Sequence, residues 1–483
     1  MGLKENTVKG AFWVFADQFG SQIIGFIINI ILARVLMPSD FGVIALYGVV
    51  MAVAGIIING GFSSSIIRSK ELTEEDLSTV FWFNIAAGLV IYLIVYLIAP
   101  VVSGFYHIPL LTPLIRVYGI ILIIDSFVSV QVSLVTKEMN FKRAFKIQFP
   151  SMIIGGATGV FFALNGYGPW SLVFSSLVQN SVYTLQYWFY SDWRPKLIFS
   201  MEKFKYHFSF GVKMTFSALI NTLFNNIYTI IIGKIFSTSQ LAYFNRADAL
   251  KHIPVANTAG VLNKITFPLF SKLSHDDQEL SKYYKNILLI VIFVLAPMMG
   301  LMIVLAEPLF RFLLTEKWLP AVPYFQILCI AGLLYPIQVY NLNILQAKGK
   351  SDLYLKLELF KKAVLVLIVI GSLRFGMIGL VWGSVVFEFF SLYINTYYTS
   401  KLLHYPLINQ FLDLLPSVLK AILIGGILWY INDFFFYQLN DITRLIIVSL
   451  LYIGGYLGIS LLQKSQEIIR LKDLFNKNKN IIN

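Results

Sequence analysis

Residues 80–103 have the sequence VFWFNIAAGLVIYLIVYLIAPVVS, an apolar stretch without a charged side chain. A helix rises about 1.5 Å per residue, so about 20 such residues cross the hydrocarbon core of a bilayer. In lipid the backbone N–H and C=O groups must bond to one another, and a helix achieves this within one segment. This stretch therefore predicts a membrane-spanning helix.

Similar stretches recur along the whole chain of 483 residues. Of all residues, 57% are hydrophobic and 13% are charged, whereas a soluble domain has roughly 25% charged residues. So few charges cannot cover a surface that faces water. We therefore predict an all-α polytopic membrane protein with about 14 transmembrane helices. The predicted spans are residues 11–33, 41–66, 80–103, 114–136, 147–165, 169–190, 209–233, 247–271, 286–306, 321–346, 357–373, 377–400, 412–432 and 443–462.

Lys and Arg residues are distributed unequally between alternate loops. With the N-terminus in the cytoplasm, most of the 38 basic residues fall on the cytoplasmic side, among them Lys137, Lys348, Lys361 and the tail residue Arg470. Cytoplasmic loops of membrane proteins carry such an excess, which also attracts anionic headgroups. We predict a multi-pass protein of the inner membrane with cytoplasmic N- and C-termini. The net charge of +13 then reflects topology rather than nucleic-acid binding.

The chain resembles itself at a separation of about 200 residues. Residues 33–42, ARVLMPSDFG, match residues 233–242, GKIFSTSQLA; residues 166–173, GYGPWSLV, match residues 374–381, RFGMIGLV. The basic turn at Lys137 corresponds to the one at Lys348. An even number of spans per repeat gives both repeats the same orientation, around an axis along the membrane normal.

The repeat predicts two lobes of six helices each that enclose a central cavity, as in an alternating-access carrier. The predicted limits are residues 1–208 for the first lobe and 209–401 for the second. Two further helices and a basic cytoplasmic tail occupy residues 402–483.

Motifs of catalysis and metal binding are absent from the sequence. It contains no phosphate-binding loop, no H-E-x-x-H and no paired C-x-x-C. The single cysteine, Cys329, excludes an internal disulfide. We predict a transporter rather than an enzyme, with no cofactor and no metal site. A gradient, of H+ or Na+, or the concentration difference of the substrate itself would drive it.

Polar side chains within the spans are candidate functional residues. A charge at the centre of a spanning helix costs roughly 2.5–3.5 kcal/mol on insertion scales, so it usually faces a cavity or a partner. Asp125 lies midway along the fourth span and Glu388 midway along the twelfth. Interhelical hydrogen bonding and ion coupling would each explain them, and both remain open. Asp17 and Gln18 on the first span and Asn225 on the seventh are further polar candidates.

Cations near the repeat-equivalent span ends form a second candidate set: Arg34, Lys234, Arg246 and Lys251. A pyrophosphate group needs fixed positive charge, and the guanidinium of Arg offers it two parallel hydrogen bonds. Arg34 and Lys234 would equally fit side chains that extend to the membrane interface. Arg246 would also fit a structural ion pair with Asp248.

Several segments together resemble one family of transporters. They are LARVLMPSDFG at residues 32–42, GFSSSII at 61–67, YFNRAD at 243–248, FPLFS at 267–271, KWLPA at 317–321 and LQAKGK at 345–350. On these segments the chain resembles the Wzx-like polysaccharide transporters of the MOP superfamily, nearest the colanic-acid and teichuronic-acid exporters. The resemblance covers at least residues 1–401.

The resemblance implies a bacterial inner-membrane flippase with two six-helix lobes around a cationic cavity. Its substrate would be an undecaprenyl-diphosphate-linked oligosaccharide for lipopolysaccharide O-antigen or exopolysaccharide synthesis. The lipid-linked oligosaccharide and membrane lipids are then the expected partners, with a polysaccharide polymerase and chain-length proteins as further ones. The match at residues 245–248 favours Arg246 and Asp248 as site residues, with Asp125, Glu388, Asn225, Asp17 and Gln18 in support.

Two alternatives stay open. A drug or cation exporter of the same superfamily would favour an acidic, aromatic cavity without the cationic set. A membrane-embedded polysaccharide polymerase or glycosyltransferase would need polar catalytic loops, and a polymerase usually a large outer loop. The short loops, the lack of a D-x-D motif and the repeat all argue against such an enzyme.

Overall fold

The computed structural model of the protein describes residues 20–465, 467 and 468, so the candidates Asp17 and Gln18 lie outside the described residues. Within that part of the chain every regular element is a helix. The all-α prediction is confirmed. Contacts between residues divide the chain into two compact units, Met1–Ala242 (unit 1) and Tyr243–Asn483 (unit 2).

Unit 1 contains eleven helices among its described residues and the start of a twelfth. They are α1 (Gly20–Val35), α2 (Pro38–Asn59), α3 (Phe62–Arg68), α4 (Glu74–Tyr106), α5 (Leu111–Tyr118), α6 (Ile120–Ser126), α7 (Ser129–Lys137), α8 (Phe141–Leu164), α9 (Trp170–Tyr190), α10 (Met201–Asn225), α11 (Ile227–Ile235) and the beginning of α12 (Thr238–Lys272).

Unit 2 continues α12 and adds seven described α-helices with two short 3₁₀ turns. The helices are α13 (Asp277–Val304), α14 (Ala306–Leu314), α15 (Val322–Ala347), α16 (Ser351–Ser372), α17 (Gly376–Leu403), α18 (Leu407–Phe434) and α19 (Asp441–Leu462). The 3₁₀ turns are Glu316–Ala321 and Leu373–Phe375.

Each predicted span overlaps a helix or a bent pair of helices. Among the described residues, eight helical stretches are long and apolar enough to cross a membrane, or ten if each of two bent pairs counts as one. α12, which carries the charges of Asp248 and Lys251, is not among them. The membrane class is therefore confirmed, and the count of about 14 spans stays a prediction.

The two bent pairs place two candidate residues at breaks in the helix. The segments on either side of Phe127 and Val128 meet at 48°, and only Ser126 separates this break from Asp125. α10 and α11 meet at 44° directly after Asn225. A break frees backbone carbonyls, which neighbouring side chains must satisfy. Trp188 Nε1 donates to the Phe127 carbonyl at 3.0 Å, and Asn226 Nδ2 donates to the carbonyl of Thr222 at 2.8 Å.

The local structure repeats where the sequence repeats. α2 begins at Pro38 and α12 at Thr238, each after a two-residue break in the chain. The amide of Met37 donates to the Asp40 carboxylate at 3.0 Å, and the amide of Ser237 donates to the Gln240 side chain at 3.2 Å. In both, the side chain at the third helical position caps the amide that precedes the helix, and at Ser237 the cap is reciprocal because the Gln240 amide donates to the Ser237 hydroxyl at 3.2 Å. The residues that match at an offset of 200 therefore perform the same structural task.

The basic turns also correspond. Lys137 donates its ammonium to the carbonyl of Ser69, just after α3. Lys348 donates to the carbonyl of Ser274, just after α12, and pairs with Asp277. In each unit a lysine thus binds the C-terminal end of a helix, where cations are favoured. The predicted lobe limits at 208 and 401 stay predictions.

Candidate functional site

Six side chains on four helices of unit 2 form a polar cluster. We call it the unit 2 charge cluster; it comprises Asp248 and Lys251 on α12, Gln338 on α15, Glu358 and Lys361 on α16, and Glu388 on α17. Ionisable groups within apolar helices are costly, so they face one another or a cavity and mark functional sites by default.

Lys251 is the cation of this cluster that lies on α12. Its ammonium donates to Asp248 Oδ1 at 2.6 Å, one helical turn away. The Lys251 side chain is only 15% exposed, whereas that of Asp248 is 46% exposed. The stem of Lys251 lies against Gly332 on α15, where an added Cβ would come within 3.1 Å of it. Asp248 therefore neutralises a cation that is nearly enclosed by protein.

Glu388 joins α17 to α15. The side-chain amide of Gln338 donates to the Glu388 carboxylate and, at 3.2 Å, to its backbone carbonyl. The charges of Lys251 and Lys361 also act on this carboxylate. The interhelical hydrogen bond that the sequence left open is thus present, and Glu388 lies within reach of two cations.

Lys361 and Glu358 form the third part of the cluster. The two groups lie 2.5 Å apart, one turn from each other on α16, and the Lys361 side chain is 8% exposed. The structure buries Lys361 within α16, and its predicted place on the cytoplasmic side stays a prediction. Fully ionised, Asp248, Glu358 and Glu388 carry three negative charges against two positive charges, on Lys251 and Lys361. The cluster therefore has one more carboxylate than ammonium.

Arg246, in the same helix as Lys251, faces an aromatic partner. Its guanidinium carbon lies 5.1 Å from the ring centroid of Trp318, which is fully buried. A cation over an aromatic face is stabilised by the negative charge of the ring. The sequence suggested Asp248 as a partner of Arg246. In the structure the Asp248 carboxylate accepts a hydrogen bond from the ammonium of Lys251.

Lys234 and Arg34 lie in unit 1, at the ends of their helices. Lys234 donates to the carbonyl of Phe105 and approaches His107 Nε2 at 3.3 Å, at the C-terminal end of α4. This arrangement gives Lys234 a helix-capping role. Arg34 lies exposed in the last turn of α1. Substrate contact by either residue stays a prediction.

Asp125 and Asn225 belong to the two helix breaks of unit 1 and are exposed on the helix surface. Within unit 2 the structure thus brings Asp248, Lys251 and Glu388 together, and it places Arg246 against Trp318. Sequence reasoning missed Gln338, Glu358 and Lys361 as members of the cluster. The spacing of Glu358 and Lys361 within an apolar helix was an available signal, since residues three apart share a helix face. Nothing local pointed to Gln338.

Known proteins support a role in polysaccharide biosynthesis. The profile of the family described as "Polysaccharide biosynthesis protein" matches residues 31–323. The chain is 26% identical to the lipopolysaccharide biosynthesis protein WzxC of Escherichia coli (strain K12), over 80% of each chain. It is also 26% identical to the teichuronic acid biosynthesis protein TuaB of Bacillus subtilis (strain 168), over 73% of each. The succinoglycan biosynthesis transport protein ExoT of Rhizobium meliloti (strain 1021) is 25% identical, over 68% of this chain and 67% of its own.

Two solved structures share the fold. The lipid II flippase MurJ, in an inward closed conformation, superposes with a TM-score of 0.76 at 14% identity, over 94% of this chain and 99% of its own. An inward-facing multidrug resistance MATE transporter of the MOP superfamily gives a TM-score of 0.59 at 17% identity, over 79% and 95%. The chain therefore shares its fold with both of these proteins. Since the family profile covers more than half of the chain, the protein belongs to the polysaccharide biosynthesis protein family.

Proposed function

We propose that this protein is a flippase, which moves an undecaprenyl-diphosphate-linked oligosaccharide from the cytoplasmic to the outer leaflet of the bacterial inner membrane. The observation that carries the proposal is the family match over residues 31–323, with relatives named for lipopolysaccharide, teichuronic acid and succinoglycan biosynthesis. The fold that the chain shares with a lipid flippase supports it.

The proposed cycle is alternating access without covalent chemistry. The diphosphate and sugars would enter a cavity open to the cytoplasm, and rocking of the two lobes would expose them to the outside. We assign recognition of the diphosphate to Arg246, because a guanidinium can bind two phosphate oxygens at once. The cation–π contact with Trp318 would help to hold this guanidinium in place.

We assign energy coupling to the unit 2 charge cluster. Its excess carboxylate would need a proton or Na+ to balance the cluster, and Glu388 is the member in electrostatic range of both lysines. Loading and release of that cation at Glu388 would then bias the cycle. Transport by Glu388→Gln should be insensitive to an imposed H+ or Na+ gradient while the variant still inserts. Gradient-driven transport at the normal rate in that variant would contradict the assignment.

The partners and location in this proposal follow from the substrate. The protein would work in the inner membrane with cytoplasmic termini, where lipid-linked repeat units are made. A polysaccharide polymerase and chain-length proteins would consume the flipped units at the outer leaflet.

The test is polysaccharide export by a deletion strain that carries Arg246→Ala. We expect loss of surface polysaccharide and accumulation of lipid-linked oligosaccharide on the cytoplasmic side, with normal protein levels in the membrane. Arg374→Ala is the matched control, because Arg374 lies exposed in the 3₁₀ turn and should be replaceable. Normal export by Arg246→Ala would overturn the role of Arg246, and normal export by the deletion strain would overturn the function.

A drug or cation exporter is the second candidate, because the fold is shared with a multidrug transporter. Sensitivity of the deletion strain to cationic drugs, with unchanged surface polysaccharide, would select it. A polymerase or glycosyltransferase is a weaker candidate, since the relatives include a protein named for transport.

A further inference from the structure

A small pocket in unit 1 lies between α4 and α5. Its volume is about 320 Å³, at the lower end of the roughly 300–1,000 Å³ typical of ligand sites. The residues that line it are Tyr92 and Tyr96 on α4 and, from α5 to the start of α6, Thr112, Pro113, Arg116, Val117 and Ile120. The pocket therefore combines two aromatic rings with one cation, Arg116.

A proline within α4 provides the backbone acceptor that Arg116 uses. In a helix each N–H group donates to the carbonyl four residues before it, and Pro100 has no N–H group. The carbonyl of Tyr96 therefore lacks its usual helical donor. Instead, the Nε–H group of Arg116 donates to it at 3.3 Å. The interrupted helix thus fixes the position of the Arg116 side chain.

The ring of Tyr96 supports the same guanidinium. Its centroid lies 4.2 Å from the guanidinium carbon of Arg116, and a cation over an aromatic face is attracted by the negative charge of the ring. One residue of α4 therefore makes two separate contacts with Arg116. An arginine that merely extended to the membrane surface would need neither contact.

Arg116 keeps hydrogen-bond donors for a further partner. Among the residues that the structure describes, none accepts a hydrogen bond from its Nη1 or Nη2 group, and none offers it a carboxylate within 4 Å. The sequence from residue 80 to residue 124 contains no Asp or Glu, and Lys234 adds positive charge at the end of α4. A guanidinium in this state can bind two phosphate oxygens at once. The pocket therefore favours a ligand with net negative charge.

The α4 side of the pocket continues into a face of exposed apolar residues. Leu89, Leu93 and Tyr96 share one face of the helix, because they follow one another at intervals of four and three residues. They are 50%, 56% and 38% exposed. In a membrane protein the hydrocarbon of the bilayer covers such a face. A lipid is therefore the class of molecule that meets the pocket from this side.

The order of these groups along α4 matches a lipid of the outer leaflet. In the proposed orientation α4 runs from the cytoplasmic side at Glu74 to the outer side at Tyr106. Tyr96 lies seven residues after Leu89, about 10 Å closer to the outer surface. A headgroup at Arg116 would therefore leave its acyl chains along Leu93 and Leu89, toward the centre of the bilayer.

We propose that this pocket binds an anionic phospholipid of the outer leaflet, of the phosphatidylglycerol type. Arg116 holds two oxygens of its phosphate, and the rings of Tyr92 and Tyr96 border the headgroup. The ligand is a lipid of the bilayer itself rather than the cargo, so the proposal goes beyond the proposed function and does not depend on it. The pocket contains none of the residues assigned to the oligosaccharide diphosphate or to energy coupling.

The test is native mass spectrometry of the full-length protein, released from phosphatidylcholine nanodiscs that contain an increasing fraction of phosphatidylglycerol. The measured quantity is the fraction of phosphatidylglycerol at which half of the protein retains this lipid. We expect that fraction to rise about threefold to tenfold in Arg116→Gln. Arg374→Gln is the matched control, because Arg374 is an exposed arginine outside the pocket, and it should bind as the wild type does.

Pro100→Ala separates lipid binding from folding. The alanine returns an N–H group to α4, which competes with Arg116 for the Tyr96 carbonyl, and it removes a residue that disfavours a helix. We expect a midpoint temperature of unfolding at or above that of the wild type, together with about threefold weaker phosphatidylglycerol binding. Pro100 does not line the pocket, so every lining side chain is kept. Pro297→Ala, at a proline within α13, is the control and should bind normally.

Four results would overturn parts or all of the proposal. Wild-type binding by Arg116→Gln, or equal losses in Arg116→Gln and Arg374→Gln, would overturn the site. Full competition by glycerophosphoglycerol, the headgroup without acyl chains, would identify the occupant as a soluble phosphodiester rather than a lipid. Wild-type binding by Pro100→Ala would overturn the positioning of Arg116 by the Tyr96 carbonyl. The assay involves no transport, so failure of the flippase assignment would leave its result unchanged.

Discussion

His207 and Asp76 form a buried pair in unit 1, with His207 Nε2 3.3 Å from Asp76 Oδ1. The two residues belong to α10 and α4 and are 131 positions apart. Asp76 also accepts hydrogen bonds from the amide and hydroxyl of Thr73 and from Lys203. The other ring nitrogen of His207 lies against Ser65 on α3. One imidazole therefore connects three helices, α3, α4 and α10.

The first prediction is that His207→Ala loosens the start of α10. The imidazole is 0% exposed, so its removal deprives the Ser65 hydroxyl of its side-chain partner and removes one of the hydrogen bonds of Asp76. We expect a loss of about 1–3 kcal/mol in the free energy of unfolding, measured in mixed detergent micelles. Hydrogen exchange should rise in the first turns of α10 before it rises in α4.

His275→Ala is the control for that variant, because His275 lies exposed in the turn before α13. It should leave the unfolding free energy within about 0.5 kcal/mol of the wild-type value. Equal stability of His207→Ala and the wild type would show that the pair does not hold α10 in place.

A second prediction concerns the glycine contact beside this pair. In Gly211→Ala the new methyl group would meet the Gly60 carbonyl at 1.9 Å, and backbone cannot move aside as a side chain can. We expect α10 to shift away from α3, with a lower free energy of unfolding. Two backbones can come this close only where the residues at the contact are small, as glycine is.

Gly48→Ala provides the matched substitution for Gly211→Ala. A Cβ at Gly48, within α2, meets nothing within 4 Å, and alanine favours the helix by roughly 0.5–1 kcal/mol. That variant should be as stable as the wild type or slightly more so. If Gly48→Ala and Gly211→Ala had the same midpoint temperature of thermal unfolding, that result would contradict the close packing of α10 on the Gly60 turn.

The third prediction separates the two members of the Lys251–Asp248 pair. Lys251 is the more enclosed residue, so Asp248→Asn leaves a cation without its partner in a site that water hardly reaches. We expect Asp248→Asn to lose about 1–3 kcal/mol of stability. Lys251→Met should lose less than about 1 kcal/mol, because the half-exposed Asp248 can remain hydrated and Glu388 keeps Lys361 as a nearby cation.

The double variant completes a mutant cycle for this pair. Asp248→Asn combined with Lys251→Met should be more stable than Asp248→Asn alone, because no unpaired charge is left. Lys272→Met, at the exposed end of α12, is the control and should be neutral. Additive losses in the double variant would mean that the two residues do not act as a pair.

The fold was predictable from the sequence to the extent that it depends on local patterns. Apolar stretches gave the helices, because length and hydropathy alone decide whether a segment can cross a bilayer. The repeat at residues 33–42 and 233–242 gave matching helix caps, because capping residues act on their immediate neighbours. The polar residues Asp125 and Asn225 drew attention to two spans that the structure shows to be bent.

The parts of the fold and of the candidate site that were not predictable depend on contacts between residues far apart in the sequence. Nothing in the spacing of Gly60 and Gly211 shows that their backbones touch, since the contact joins segments about 150 residues apart. The sequence identified Glu388 as a charge within a span, but it did not identify Gln338 as its partner. The two side chains meet only because α15 packs against α17. Lys361 was counted only as a cation of the cytoplasmic side, and its ion pair with Glu358, which allows its burial in α16, appears only in the structure.

The last prediction uses the repeat itself, through the equivalent lysines Lys137 and Lys348. Each donates to a carbonyl at the end of a helix in its own unit, and Lys348 also pairs with Asp277. Lys137→Met should therefore lose about 1 kcal/mol of stability and Lys348→Met more, about 1–3 kcal/mol. Hydrogen exchange should increase after α3 in the first variant and after α12 in the second. Lys350→Met, an exposed neighbour in the same turn, should change neither. If Lys137 and Lys348 served only to set membrane orientation, Lys350→Met and Lys348→Met would have the same stability. Neither Lys137→Met nor Lys348→Met would then increase hydrogen exchange locally.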